Sequence, residues 1–143
     1  MNDFKLYEST HHIIYLYVDG QLYLGRSVVV LKSKKQSLSQ MDTEEWIDFG
    51  IVANIFETAL KQCFNATYFN WGCFLNDAYR TKPFIPEVHW QVRPRYERSI
   101  IFEGIEFTDE AFGSQFLRKD REKKLNYDFI ERIFNRMLPY FPH

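Results

Sequence analysis

The chain has 143 residues, enough for one domain with a single substantial core. Its formal net charge of −1 gives no electrostatic case for a nucleic-acid or membrane partner, and no apolar run approaches the roughly 20 residues that span a bilayer. The composition is otherwise ordinary, but 14 Phe and 9 Tyr are large surfaces that collect at interfaces, so an oligomer is expected.

The N-terminus, Met1-Asn2-Asp3-Phe4-Lys5, lacks the basic flank and apolar centre of a signal peptide. Cys63 and Cys73 are too few for a disulfide framework and form no CxxC pair, which suits two largely buried free thiols in a cytoplasmic protein. His11 and His12 are adjacent and cannot share a strand face, so no metal site is expected from them. The clusters at Lys32, Lys34, Lys35 and residues 118–124 read as solvated surface.

Residues 3–10 leave a strand and a turn equally open. His12 to Val18 is β-branched and aromatic and reads as a strand, and Asp19-Gly20 reads as a hairpin turn. Leu22 to Leu31 returns, with Gly25 as a bulge or bend and Val28 to Leu31 as a central strand covered on both faces. After a polar connection to Gln40, Asp42 caps a helix, with Glu45 placed to reach back in a capping box. Trp46, Phe49, Ala53, Phe56, Leu60 and Phe64 make an apolar stripe that predicts a core-facing helix to about Gln62.

Thr67 to Leu75 predicts a third strand, ending at the turn sequence Asn76-Asp77-Ala78-Tyr79. A loop stiffened by Pro83 and Pro86 leads into Glu87-Val88-His89-Trp90-Gln91-Val92-Arg93-Pro94. As a strand, that stretch sends Glu87, His89, Gln91 and Arg93 to one face and Val88, Trp90 and Val92 into the core. Pro94 ends the alternation. Residues 99–107 predict peripheral extended chain, Thr108 to Lys124 a short helix, and Tyr127 to Leu138 a C-terminal helix closed by Pro139.

The stretch His89 to Tyr96 resembles the signature strand of the histidine-triad (HIT) superfamily, His-φ-His-φ-His-φ-φ, where φ is apolar and Pro-Arg often follows. Aligned on Pro94-Arg95, His89 falls on the middle, nucleophilic histidine, while Glu87 and Gln91 replace its two neighbours. Glutamine there is similar to the galactose-1-phosphate uridylyltransferase and diadenosine-tetraphosphate phosphorylase branches. The element order over roughly residues 12–96 is also similar to the family layout, with 97–143 as a C-terminal extension of the same single domain. Phe107 to Gly113 looks like a tail of some bacterial members.

The resemblance implies an α+β fold in which an antiparallel sheet of about five strands carries one long helix and a C-terminal helix, usually as a homodimer. It implies a nucleotide phosphohydrolase or nucleotidyltransferase acting on a dinucleoside polyphosphate or nucleoside phosphoramidate through a nucleotidyl-His89 intermediate. No cofactor and no obligatory metal are implied. Gln91 would donate its amide N–H to a phosphoryl oxygen, and Asn76, thirteen residues before His89, would contact phosphate. Arg93 and Arg26 would attract phosphate, and Asp19 stands one residue from the place of the ribose-binding acid.

Each residue also has a plainer reading. His89 is a strand histidine bonded to a carbonyl, Asn76 an ordinary turn residue, and Asp19 part of a hairpin; Gln91, Arg93, Arg26 and Lys34 are exposed polar groups. Glu87 beside His89 would favour imidazolium and repel phosphate unless a cation pairs with it. The alternative function is therefore a nucleotide-binding or scaffold protein without turnover.

Overall fold

The computed structural model of the protein describes residues 3–117 and 123–143. Among the described residues, seven strands and two α-helices form in the order β1 (Lys5–Glu8), β2 (His12–Leu16), β3 (Ser27–Leu31), α1 (Thr43–Phe64), β4 (Tyr68–Gly72), β5 (His89–Arg95), β6 (Ile100–Phe102), β7 (Ile105–Phe107) and α2 (Tyr127–Met137). The first five strands make one antiparallel sheet in the order β1-β2-β3-β5-β4. The α+β expectation, with one long and one C-terminal helix, is met. No helix among the described residues is long and apolar enough to cross a membrane.

The open question at residues 3–10 resolves as edge strand β1. The expected tight hairpin at Asp19-Gly20 is absent: β2 stops at Leu16, β3 starts at Ser27, and residues 17–26 form a longer connection. Its organiser is Gln21, fully buried, whose Nε2 donates to the carbonyls of Tyr17 (2.7 Å) and Arg26 (3.0 Å) while its Oε1 accepts from Gly25 N (2.7 Å). One side chain thus satisfies backbone groups that a two-residue turn would have paired. Gly25 lies in this connection rather than in a strand, at φ +87°, where an added Cβ would sit 2.5 Å from Leu60 Cδ1. β3 is covered on one face only, because Val28 and Val30 alternate half-buried with buried Val29 and Leu31.

Helix α1 carries the expected capping box: Asp42 Oδ1 accepts from Glu45 N (2.9 Å) and Glu45 Oε1 accepts from Asp42 N (3.0 Å). It runs to Phe64, and Asn65 closes it at φ 63°. Its buried apolar face is Val52, Phe56, Ala59, Leu60, Cys63 and Phe64, so the predicted stripe holds at Phe56, Leu60 and Phe64 and turns outward at its start, where Trp46 is 42% exposed and Phe49 half-buried. The third predicted strand shortens to β4, at the sheet edge. Cys63 is buried, but Cys73 only half so.

β6 and β7 form a separate hairpin, yet Phe102 and Phe107 enter the main core with Phe129, Ile130, Ile133 and Met137 of α2. That segment is therefore less peripheral than expected. Residues 108–117 hold turns rather than the predicted helix, and 118–122 fall outside the described residues.

Candidate functional site

Strand β5 begins at His89, so Glu87 precedes it, and Pro94 lies inside it. Pairing with β3 ends at Ser27–Val92, and Phe69–Pro94 is matched on the β4 side alone. Proline's missing N–H therefore falls where β5 has a single neighbour. Val88, Trp90 and Val92 are buried in the core, and His89 and Gln91 are half-buried on the opposite face.

His89 Nδ1 lies 2.8 Å from the Glu87 carbonyl oxygen. A carbonyl only accepts, so Nδ1 carries a proton and in the neutral ring Nε2 keeps the lone pair. Glu87 thus contributes its backbone to the histidine. Its side chain is half exposed, with Lys34 Nζ 3.8 Å from Oε1, so the cation opposite Glu87 is Lys34, not Arg93.

A cavity of about 400 Å³ opens over this strand, lined by Tyr17, Asp19, Arg26, Phe74, Asn76, His89 and Gln91 among others. Five of the six predicted site residues therefore share one wall. Asn76 opens a short 3-10 helix, Asn76–Tyr79, and Asp19 is exposed at the rim. Arg26 is buried instead of exposed: its Nη2 donates to Gln91 Oε1 (3.0 Å) and its guanidinium lies 3.8 Å from the Tyr17 ring centroid. Arg93 is outside this cavity, buried, with the Phe116 ring centroid 3.8 Å from its guanidinium.

A second hollow, about 310 Å³, adjoins His89 across Ile13, Val30, Leu31 and Val88, with Lys32 and Lys34 at its edge. Sequence reasoning missed Tyr17 and Phe74. Tyr17 lies just past β2, where Tyr15 and Tyr17 alternate towards one face, and that spacing was the available signal. Phe74 had none: its ring reaches the wall because Gly72 leaves room, a Cβ there lying 2.2 Å from it.

No protein-family model matches the sequence, and no curated protein does. Solved structures match over nearly the whole chain. A HIT-like protein of Bartonella henselae, described as involved in cell-cycle regulation, is 17% identical with a TM-score of 0.65, the match covering 99% of this chain and 88% of that one. A hypothetical histidine-triad nucleotide-binding protein of Sulfolobus tokodaii is 15% identical with a TM-score of 0.66, over 98% and 84%. This is the histidine-triad fold. A Plasmodium falciparum diadenosine triphosphate hydrolase shares it at 17% identity and a TM-score of 0.65, over 98% of this chain and 78% of its own. Against the HIT signature, this chain sets His89 with its Nδ1 on a carbonyl and, at the third place, an amide held by Arg26.

Proposed function

We propose that this HIT-fold protein acts on a nucleoside phosphate derivative, a dinucleoside polyphosphate or nucleoside phosphoramidate, through a nucleotidyl-His89 intermediate. The observation that carries the reading is the His89 Nδ1–Glu87 carbonyl hydrogen bond, which leaves Nε2 as the nucleophilic nitrogen on the cavity wall. Nε2 attacks the α-phosphorus, the bond to the leaving group breaks with its electron pair, and water or another acceptor then cleaves the P–N bond. Gln91 and Asn76 line the cavity with His89 and serve in this reading as amide donors to the phosphoryl oxygens, with Asp19, exposed and also lining it, assigned to the ribose hydroxyls. The hollow over Ile13, Val30 and Val88 suits the nucleoside. Arg93, under Phe116, contributes positive potential from outside the cavity.

Two solved neighbours, named a nucleotide-binding protein and a diadenosine triphosphate hydrolase, agree with this reading. One feature favours the second reading, a binder without turnover: Glu87 is also a lining residue, and its negative charge, met by Lys34 at 3.8 Å, opposes phosphate nearby. Intact-protein mass spectrometry after brief incubation with diadenosine tetraphosphate or adenosine phosphoramidate separates the two. An acid-labile nucleotidyl adduct or released product, lost in His89→Asn with nucleotide affinity kept, is expected. Nucleotide binding with neither adduct nor product from the wild type would leave the binder. The protein is proposed to work as a cytoplasmic homodimer joined through β4 and α1.

A further inference from the structure

Gln91 sits where the HIT signature has its third histidine, and its environment restricts what it does. A guanidinium only donates, so the Arg26 Nη2–Gln91 Oε1 contact of 3.0 Å fixes which end of the amide is oxygen. The Nε2 end, with two N–H bonds, is then directed away from Arg26. Arg26 is itself held: it is 5% exposed, stacked at 3.8 Å on Tyr17, and its carbonyl accepts from Tyr17 N (2.9 Å) and from buried Gln21 Nε2 (3.0 Å). The whole 17–26 connection therefore supports the orientation of one amide.

An amide N–H donates a hydrogen bond but does not give up its proton. Among the described residues, several other polar groups on the wall already face a partner. His89 Nδ1 donates to a carbonyl, Asp77 pairs with Arg80 (3.3 Å) and Glu87 lies opposite Lys34 (3.8 Å), while the Tyr17 ring face, though not its hydroxyl, packs on Arg26. Asp19 lies exposed at the rim. A phosphoramidate needs its departing nitrogen protonated, whereas a phosphoanhydride releases a phosphate oxygen that leaves stably as an anion.

Resting on the nucleotidyl-His89 reading, we infer that Arg26 is a positioning residue that locks the Gln91 amide with its N–H bonds towards the phosphoryl group, making the site selective for nucleoside phosphoanhydrides over phosphoramidates. In the first step His89 Nε2 forms the P–N bond as the P–O bond of the anhydride breaks, and the electron pair stays on the leaving phosphate. No proton moves. In the second step water attacks phosphorus, the electron pair of the P–N bond returns to Nε2, and the water proton passes to solvent.

Steady-state kinetics of the full chain on diadenosine tetraphosphate and adenosine 5′-phosphoramidate test this with Arg26→Met, Gln91→Leu, their combination, and Gln91→His. Wild-type kcat/KM is expected to favour the anhydride by about a hundredfold or more, and Gln91→His to narrow that ratio. Arg26→Met should lower kcat on the anhydride about tenfold with KM moving less, yet change the Gln91→Leu protein by less than about twofold. Equal losses in both backgrounds, or wild-type phosphoramidate turnover as fast as that of the anhydride, would overturn the inference. Should Arg26→Met not fold, Arg26→Lys, which keeps the charge and loses the planar fork, carries the same comparison. If the wild type turns over neither substrate, the nucleotidyl-histidine reading fails and selectivity with it. Calorimetric AMP affinity then decides the lock, which stands only if the Arg26 change weakens binding with Gln91 present and not with Leu there.

Discussion

Arg95 of β5 shows how little a residue's type says about its employment. Arg95 is fully buried and binds Asp109 with both ends of its fork, Nε to Oδ2 at 2.7 Å and Nη2 to Oδ1 at 3.0 Å. Its remaining N–H bonds go to Asn70 Oδ1 (2.7 Å) and the carbonyls of Ala111 and Ser114 (both 2.8 Å). Such a pair gains little over apolar packing, but removing one partner strands a charge in the interior. Asp109→Ala is therefore expected to destabilise the protein by about 3–5 kcal/mol, read from the urea midpoint, while Asp109→Asn costs less. A change within the error of the wild-type midpoint would mean that water or a rearranged chain serves Arg95. Proximity in sequence made Arg95 visible only as the end of a signature. Asp109 is fourteen residues away and meets it only after the chain has folded back. His89 and Gln91, by contrast, were legible because two-residue spacing puts them on one face in any strand.

Element by element, what was readable is what is local. The capping box of α1 spans three residues, and Asp42 and Glu45 adopt it as expected. Glu45 also accepts from Lys35 Nζ (2.8 Å) and Ser33, partners in the preceding loop that no periodicity reveals. The Lys35 bond first, then Ser33 and the Asp42 backbone N–H, hold the Glu45 carboxyl down at about 2 against an ordinary 4.5. A depressed carboxyl contributes stability that is complete above its unfolded value and is lost as pH falls through its folded one. Between pH 4.5 and about 2 the melting temperature of the wild type should therefore fall more steeply than that of Glu45→Gln. Parallel curves in calorimetry across that window would show the contacts to be silent. The exposed start of the helix stripe and the missing hairpin depart from the pattern for reasons of side-chain packing. Trp46 keeps the 3.6-residue period and reaches Trp90 at 6.3 Å but stays 42% exposed at the start of the stripe, and the turn chemistry of Asp19-Gly20 is overridden by the buried Gln21 side chain bonding Tyr17, Gly25 and Arg26.

At the scale of the molecule, the sheet is unevenly finished. β4 pairs with β5 on one side, and its other edge, Tyr68-Phe69-Asn70-Trp71-Gly72, carries neither the proline nor the lysine that commonly protects an open edge. Beside it lies an apolar groove of about 470 Å³ lined by Phe49, Ala53, Trp71, Cys73 and Trp90 among others. On the same helix Trp46 is 42% exposed, Ile47 60% and Ile51 52%, with the two isoleucines one helical turn apart. In the proposed homodimer, a twofold axis would set β4 against β4 to continue the sheet and α1 against α1 to cover the isoleucines. The His89 cavity opens on the other face of the sheet from α1, so joining the copies leaves both cavities open. The wild type is then expected to sediment at twice the chain mass at micromolar concentration, and Ile51→Glu, which places a carboxylate in the seam, at the chain mass with its fold intact by circular dichroism. A monomeric wild type, or an Ile51→Glu protein that stays paired, would place the interface elsewhere or remove it.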